Sequence, residues 1–147
     1  QWKGLEGNGQ FRFTPPTHTM LAFRQALEEL KIEGGVAARQ QRYQANCERL
    51  LKGMTRIGFE PYLPVDRGGH IITSFLYPED ANFDFDIFYD KLNQRGYVIY
   101  PGKVSDAECF RIGNIGRLFE SDVAALLAEI QSVLEAMQVR LAVPAAT

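Results

Sequence analysis

The feature that most constrains this chain is a change of hydrophobic period at Gly58. Before it, apolar residues recur every three or four positions: Met20, Phe23, Leu27 and Leu30, then Tyr43, Cys47, Leu50, Leu51 and Met54. That spacing lines one side of an α-helix. After it, Phe59 to Leu63 and Ile71 to Tyr77 are short runs rich in β-branched and aromatic residues, the composition of strands. Punctuating residues set the borders. Pro15-Pro16 forbids helix before it and suits a helix start after it. Gly34-Gly35 stops the first helix and Gly58 the second. Helices are therefore expected over 17–31 and 36–56.

The remainder continues as an α+β pattern. Asp84 is placed to cap a helix over 85–94 that carries Phe85, Phe88 and Leu92, and Gly96 ends it. Tyr97 to Tyr100 and Glu108 to Ile112 read as strands on either side of a Pro101-Gly102 turn. Ser121 can cap a last helix whose stripe of Val123, Leu126, Leu127, Ile130, Val133, Leu134 and Met137 is the clearest in the chain. Residues 1–13 read as a Gly-rich loop running into a short extended piece at Phe11 to Phe13, and the closing LAVPAAT as a frayed tail. The order α-α-β-β-α-β-β-α predicts a small antiparallel sheet of about four strands with helices packed on one face. The expected division is a connection and helix over 1–33, a small α+β domain over 34–138 and a tail over 139–147.

Bulk properties exclude several classes. At 46% hydrophobic and 23% charged the chain is globular in composition, and its net charge of -2 is a poor match to nucleic acid. No apolar run reaches the roughly 18–20 residues that span a bilayer. Cys47 and Cys109 are too few for a disulfide framework and lack metal-ligand spacing, so a reduced, cytoplasmic compartment is expected. The opening QWKGLEGNGQ reads as the middle of a longer sequence.

Arg111 is the most conspicuous candidate for a site. It lies in ECFRIGNIG, in an otherwise apolar strand, where alternation puts Cys109, Arg111 and Gly113 on one side and Phe110 and Ile112 on the other. An arginine in that setting needs an anionic partner, and its planar fork suits a carboxylate or a phosphonate. Gly113 beside it leaves room for a ligand. A structural salt bridge or a solvent-facing edge position explains the arginine equally on these grounds. In RFTPPTHT, Thr14, Thr17 and Thr19 offer hydroxyls near a helix N-terminus, a setting that suits phosphate oxygens and, just as well, ordinary capping. His18 alone says little. Lys103, in the turn YPGK, reads as solvated. Asp80, Asn82 and Asp84 mimic a calcium loop but fail it, because Phe85 stands where glycine is needed and Lys91 where glutamate is. No metal site is expected. Gly113-Asn114-Ile115-Gly116 is too short for a dinucleotide fingerprint. Cys109 reads as a buried thiol rather than a nucleophile.

RFTPPTHTMLAF, EGGVAARQQRYQ and GYVIYPGKVSDAECFRIGNIG together resemble the C-terminal portion of the 2-aminoethylphosphonate–pyruvate transaminase family, among the class V aminotransferases of fold type I. The resemblance runs from Gln1 to about Met137, and its most specific segment is the one ending in FRIGNIG. It implies pyridoxal 5'-phosphate (PLP) as cofactor, a homodimer, and 2-aminoethylphosphonate and pyruvate as substrates. It implies that Thr14 reaches the PLP phosphate of the partner subunit and that Arg111 holds the substrate's anionic group. It also implies that the lysine bearing the cofactor lies outside this chain. None of Lys3, Lys31, Lys52, Lys91 and Lys103 stands in the family's context for it, so the chain alone should be inactive.

Two alternatives stay open on sequence. One is another class V enzyme, of the alanine–glyoxylate or serine–pyruvate type, using the same arginine for a carboxylate. A desulfurase of that class needs a reactive cysteine on a loop, which Cys109 does not provide. The other is a self-standing α+β module that binds an anionic metabolite. The enzyme reading predicts apolar surface exposed along 17–31; the module reading predicts those first helices tightly packed.

Overall fold

The computed structural model describes residues 2–102 and 107–142, and the chain divides into two compact units after Arg39. The first unit contains α1 (Trp2–Asn8), α2 (Thr17–Glu33) and the first residues of α3 (Gly35–Ile57). Helix α1 replaces the expected loop. Its end is closed locally: Gly9, at φ 73°, donates its N–H to Leu5 O, and the Asn8 side chain accepts from Gln10 N–H at 3.0 Å. Phe11 to Phe13 form no strand and are exposed. Helix α2 ends where the glycines predict. Gly34 adopts φ 108°, a left-handed conformation that costs a residue with a side chain about 1 kcal/mol or more, and its N–H caps the last carbonyls. Glu33 and Arg39 pair across this turn at 2.7 Å.

No residue of α2 is buried. Met20, Leu21, Phe23 and Leu27 are 51%, 63%, 64% and 48% exposed. The tight packing that a self-standing module requires is thus missing along α2, and the apolar exposure expected of the enzyme reading is present.

The second unit holds the rest of α3, β1 (Ile72–Leu76), α4 (Phe85–Gln94), β2 (Tyr100–Pro101), β3 (Cys109–Gly113) and α5 (Glu120–Ala136). Its sheet is antiparallel in the order β1-β3-β2, three strands among the described residues rather than about four. The missing strand is 59–63. That segment does run beside β1, with Tyr62 N–H donating to Ser74 O and Leu76 N–H to Glu60 O, both at 2.9 Å. Pro61 lies between these bonds, and only an isolated bridge to Phe75 forms.

The core lies on the sheet face that carries Phe75 and Phe110. Leu50 and Met54 of α3, Phe88 and Leu92 of α4, and Val123, Ile130, Val133 and Leu134 of α5 close over it, helices on one face as the element order implies. Phe110 is fully buried at the centre, with the rings of Phe59, Phe88 and Phe75 at 5.3, 5.6 and 5.9 Å.

Helix α4 occupies the predicted span because of its cap: Asp84 Oδ1 accepts from Ile87 N–H at 3.0 Å. Asp84→Ala is expected to lower stability by about 1 kcal/mol, read from the urea midpoint at constant m-value; an unchanged midpoint would mean that the cap is dispensable. Helix α5 departs from expectation at its start. Phe119, not Ser121, is the N-cap residue, and Asp122 Oδ2 accepts from its N–H at 2.7 Å. The chain after α5 is tied down as far as Leu141, the first residue of the expected frayed tail. Val139 is buried, Arg140 N–H donates to Asp80 Oδ2 at 3.0 Å, and Leu141 lies against the core.

Candidate anion site

Arg111 stands in the central strand, with β1 on one side and β2 on the other. Strand alternation buries its neighbours Phe110 and Ile112 in the core and turns Arg111 to the opposite face, where it is partly buried. Nε donates to Pro101 O at 3.2 Å, so β2 orients the guanidinium plane. Among the described residues the two terminal nitrogens meet no carboxylate or carbonyl. The salt-bridge alternative for Arg111 therefore finds no partner among those residues.

The surroundings hold β2 and β3 close and leave space beside the arginine. Gly102 donates its N–H to Cys109 O at 2.7 Å, and a Cβ on Gly102 would fall 2.2 Å from Cys109 Sγ, so only glycine fits there. At Gly113 the opposite holds: an added Cβ would meet nothing nearer than Ile71 O at 3.8 Å.

A second group of residues fixes the chain that leaves β3. Asn114, 2% exposed, donates Nδ2 to His70 O at 2.8 Å and to Tyr43 O at 3.3 Å. Arg42 Nη1 donates to Gly116 O and Leu118 O at 2.7 and 2.8 Å, Asn46 Nδ2 to Leu118 O at 2.8 Å, and Gly116 N–H to Tyr43 Oη at 3.2 Å. The GNIG segment is thus a structural anchor stapled to α3, a role that sequence reading did not assign. The one sequence signal was the 42, 43, 46 spacing along α3, which places three polar side chains on neighbouring turns.

The other candidates are placed as follows. Thr14 is exposed and its hydroxyl is not used for capping, because α2 begins after Pro16 with no side-chain cap. Thr17, His18 and Thr19 are exposed in the first turn of α2. Thr14 and Arg111 belong to different units. Lys103 lies outside the described residues. Cys109 is buried against Gly102. Burial pushes the Cys47 thiol up, against nucleophilic use, although a contact with Thr73 Oγ at 3.9 Å partly offsets this. The Asp80 carboxylate accepts from the backbone N–H groups of Arg140 and Asn82, which hold it below the usual carboxylate range. It serves as a clasp for the C-terminal segment. Among the described residues no cluster of His, Cys, Asp and Glu could hold a metal ion, and no helix is long and apolar enough to cross a membrane.

This arrangement of helices behind a small sheet is one that solved aminotransferase structures share. Over 90% of its length the chain superposes on 36% of alanine–glyoxylate aminotransferase from Nostoc sp., with a TM-score of 0.80 at 23% identity. It superposes over 92% on 35% of pyridoxamine–pyruvate aminotransferase from Mesorhizobium loti, with a TM-score of 0.79 at 20% identity. No protein-family model matches the chain. By sequence, the 2-aminoethylphosphonate–pyruvate transaminases are its homologues. Those of Vibrio cholerae and Klebsiella pneumoniae are 54% and 53% identical to it over 135 residues, 91% of this chain. The chain spans about 37% of the length of these curated relatives.

Proposed function

We propose that this chain is part of a PLP-dependent aminotransferase that moves the amino group of 2-aminoethylphosphonate to pyruvate, giving phosphonoacetaldehyde and L-alanine in phosphonate breakdown. The observation that carries the reading is the fork of Arg111 on the open sheet face, without an acceptor for its terminal nitrogens among the described residues, in a chain 54% identical to such transaminases over 135 residues. In this reading residues 34–138 are the small domain, residues 1–33 connect it to a larger one, and 139–147 form the tail. The exposed apolar residues of α2 support a cover supplied by that larger domain and by the partner subunit of a homodimer. Cys47 and Cys109, both free and buried, fit a reduced cytoplasmic compartment.

PLP, when bound, supplies the electron sink for amino transfer. This chain's contribution is binding and orientation. Arg111 holds the phosphonate of the donor or the carboxylate of the acceptor through two parallel N–H bonds. Because Nε is tied to Pro101 O, the fork is oriented before the substrate arrives, which lowers the entropy cost of binding. Thr14 fits a PLP phosphate as a hydroxyl donor, since its side chain is exposed and takes no part in capping. The lysine that holds the cofactor belongs to protein outside this chain in this reading. Of the described lysines, Lys3, Lys31 and Lys52 lie exposed on helices and Lys91 in the last turn of α4.

The test is an absorption spectrum of the full-length protein that carries this sequence. A visible PLP band displaced by 2-aminoethylphosphonate is expected; no band, or a band that this amine leaves unmoved, overturns the proposal. Thr14→Ala is expected to weaken PLP retention about tenfold, the worth of one hydrogen bond to a charged group. Cofactor affinity measured by dialysis and found unaltered would remove Thr14 from the site.

A further inference from the structure

We infer that Ser74 and Tyr100 flank Arg111 to complete a site for a tetrahedral oxyanion, and that they, rather than the arginine, set a preference for phosphonate over carboxylate. The inference rests on the reading of Arg111 as the anion holder and extends it to residues of two other elements.

The register carries the argument. Ser74 of β1 and Tyr100 of β2 are both the direct cross-strand partners of Arg111. Residues directly opposite in an antiparallel pair project from the same face, with Cβ atoms about 4.5–5.5 Å apart. Phe75 and Phe110 pair on the core face, so the row Ser74–Arg111–Tyr100 projects from the other. It is a polar row between two apolar ones, Ile72 with Gly113 on one side and Leu76 with Cys109 on the other. Ser74 is partly buried and Tyr100 is 53% exposed, and among the described residues neither hydroxyl has a hydrogen-bond partner. Three donors thus stand abreast across the sheet with no described acceptor among them.

The geometry of the anion decides what such a row can select. A carboxylate has two oxygens in one plane, and the guanidinium fork satisfies both. A phosphonate has three oxygens at the corners of a tetrahedron. When two lie in the plane of the fork, the third stands out of it and needs a donor from the side. Ser74 and Tyr100 are the hydroxyls placed at the sides of Arg111. Gly113, two residues along β3 on the same face, keeps the added volume open.

The test is equilibrium binding of ethylphosphonate and propanoate to the full-length protein, followed by NMR titration. These two anions differ in the head group alone, and their binding does not require turnover. Ser74→Ala and Tyr100→Phe each remove one oxygen. Each is expected to weaken ethylphosphonate about tenfold or more, the range for one hydrogen bond to a charged group, and to leave propanoate within about twofold. Gly113→Ala is expected to weaken ethylphosphonate more than propanoate at an unchanged melting temperature. Arg111→Lys is the control and should weaken both anions. If it does so while the Ser74 and Tyr100 variants change neither anion, or change both equally, the flanking role is overturned and the arginine site stands. If Arg111→Lys changes neither, the arginine site itself is overturned, and this inference with it.

Discussion

Arg111→Lys in the full-length protein is expected to lower kcat/KM for the proposed substrate 2-aminoethylphosphonate by on the order of ten- to a hundredfold. The substitution retains the positive charge, so the loss isolates geometry. A lysine ammonium is a compact point donor on a flexible stem, whereas the guanidinium offers two parallel N–H groups in a fixed plane. It also loses the Nε bond to Pro101 O that orients the fork. A hydrogen bond to a charged group is worth about 1.5–3 kcal/mol, and each 1.4 kcal/mol is a factor of ten. The melting temperature should hardly move, because Arg111 projects away from the core and ties only one carbonyl. Steady-state kinetics with both substrates check this. Unchanged kcat/KM would assign Arg111 to the structure of the sheet and remove it from substrate binding.

Phe110→Ala is expected to destabilise the protein by about 3–5 kcal/mol, measured by chemical denaturation. The neighbouring residue thus has the opposite character: its loss is felt in folding first. Phe110 is fully buried and its ring meets those of Phe59, Phe75, Tyr77, Phe85 and Phe88 within 6.3 Å. Truncation removes the transfer energy of the ring and leaves a cavity that five other aromatic side chains cannot all collapse to fill. A single β-strand thereby alternates between a core face, which carries Phe110, and an open face, which carries the candidate site residue Arg111. The Phe110→Leu variant should lose less, because most of the volume is kept. A loss below about 1 kcal/mol for the alanine variant would show that the aromatic cluster repacks, contrary to the close packing of interiors.

What was legible in the sequence was local. The period of Met20, Phe23 and Leu27, the stop at Gly34, the cap at Asp84 and the alternation around Arg111 each depend on backbone geometry within a few residues. The same holds for the motifs RFTPPTHTMLAF and FRIGNIG, which carry the resemblance to the transaminases. Where local signals misled, a local competitor was overlooked. The segment 59–63 pairs with β1 through a single bridge at Pro61 only, and Asp122 closes the start of α5 from inside the helix where Ser121 was expected to. Helix α1 formed despite its glycines because Gly9 and Asn8 close its end.

The tertiary structure alone decided which donors meet which acceptors across the chain. The bonds that staple Gly116, Leu118 and Asn114 to α3 join residues 71 to 76 positions apart. Every residue carries a carbonyl, so nothing in the sequence singles out those of Tyr43 and Leu118 as the ones that two buried asparagines would reach. The same is true of Asp80, whose carboxylate accepts from the N–H of Arg140 and ties down the chain ahead of the tail. It is true as well of the cross-strand row of Ser74, Arg111 and Tyr100, since register is set by which side chains fill the core and by how the connections close. The sequence by itself determined most of the helices and singled out Arg111 as the candidate anion holder, because both signals are local. The neighbours of Arg111 on the sheet were decided when β1 and β2 paired with β3.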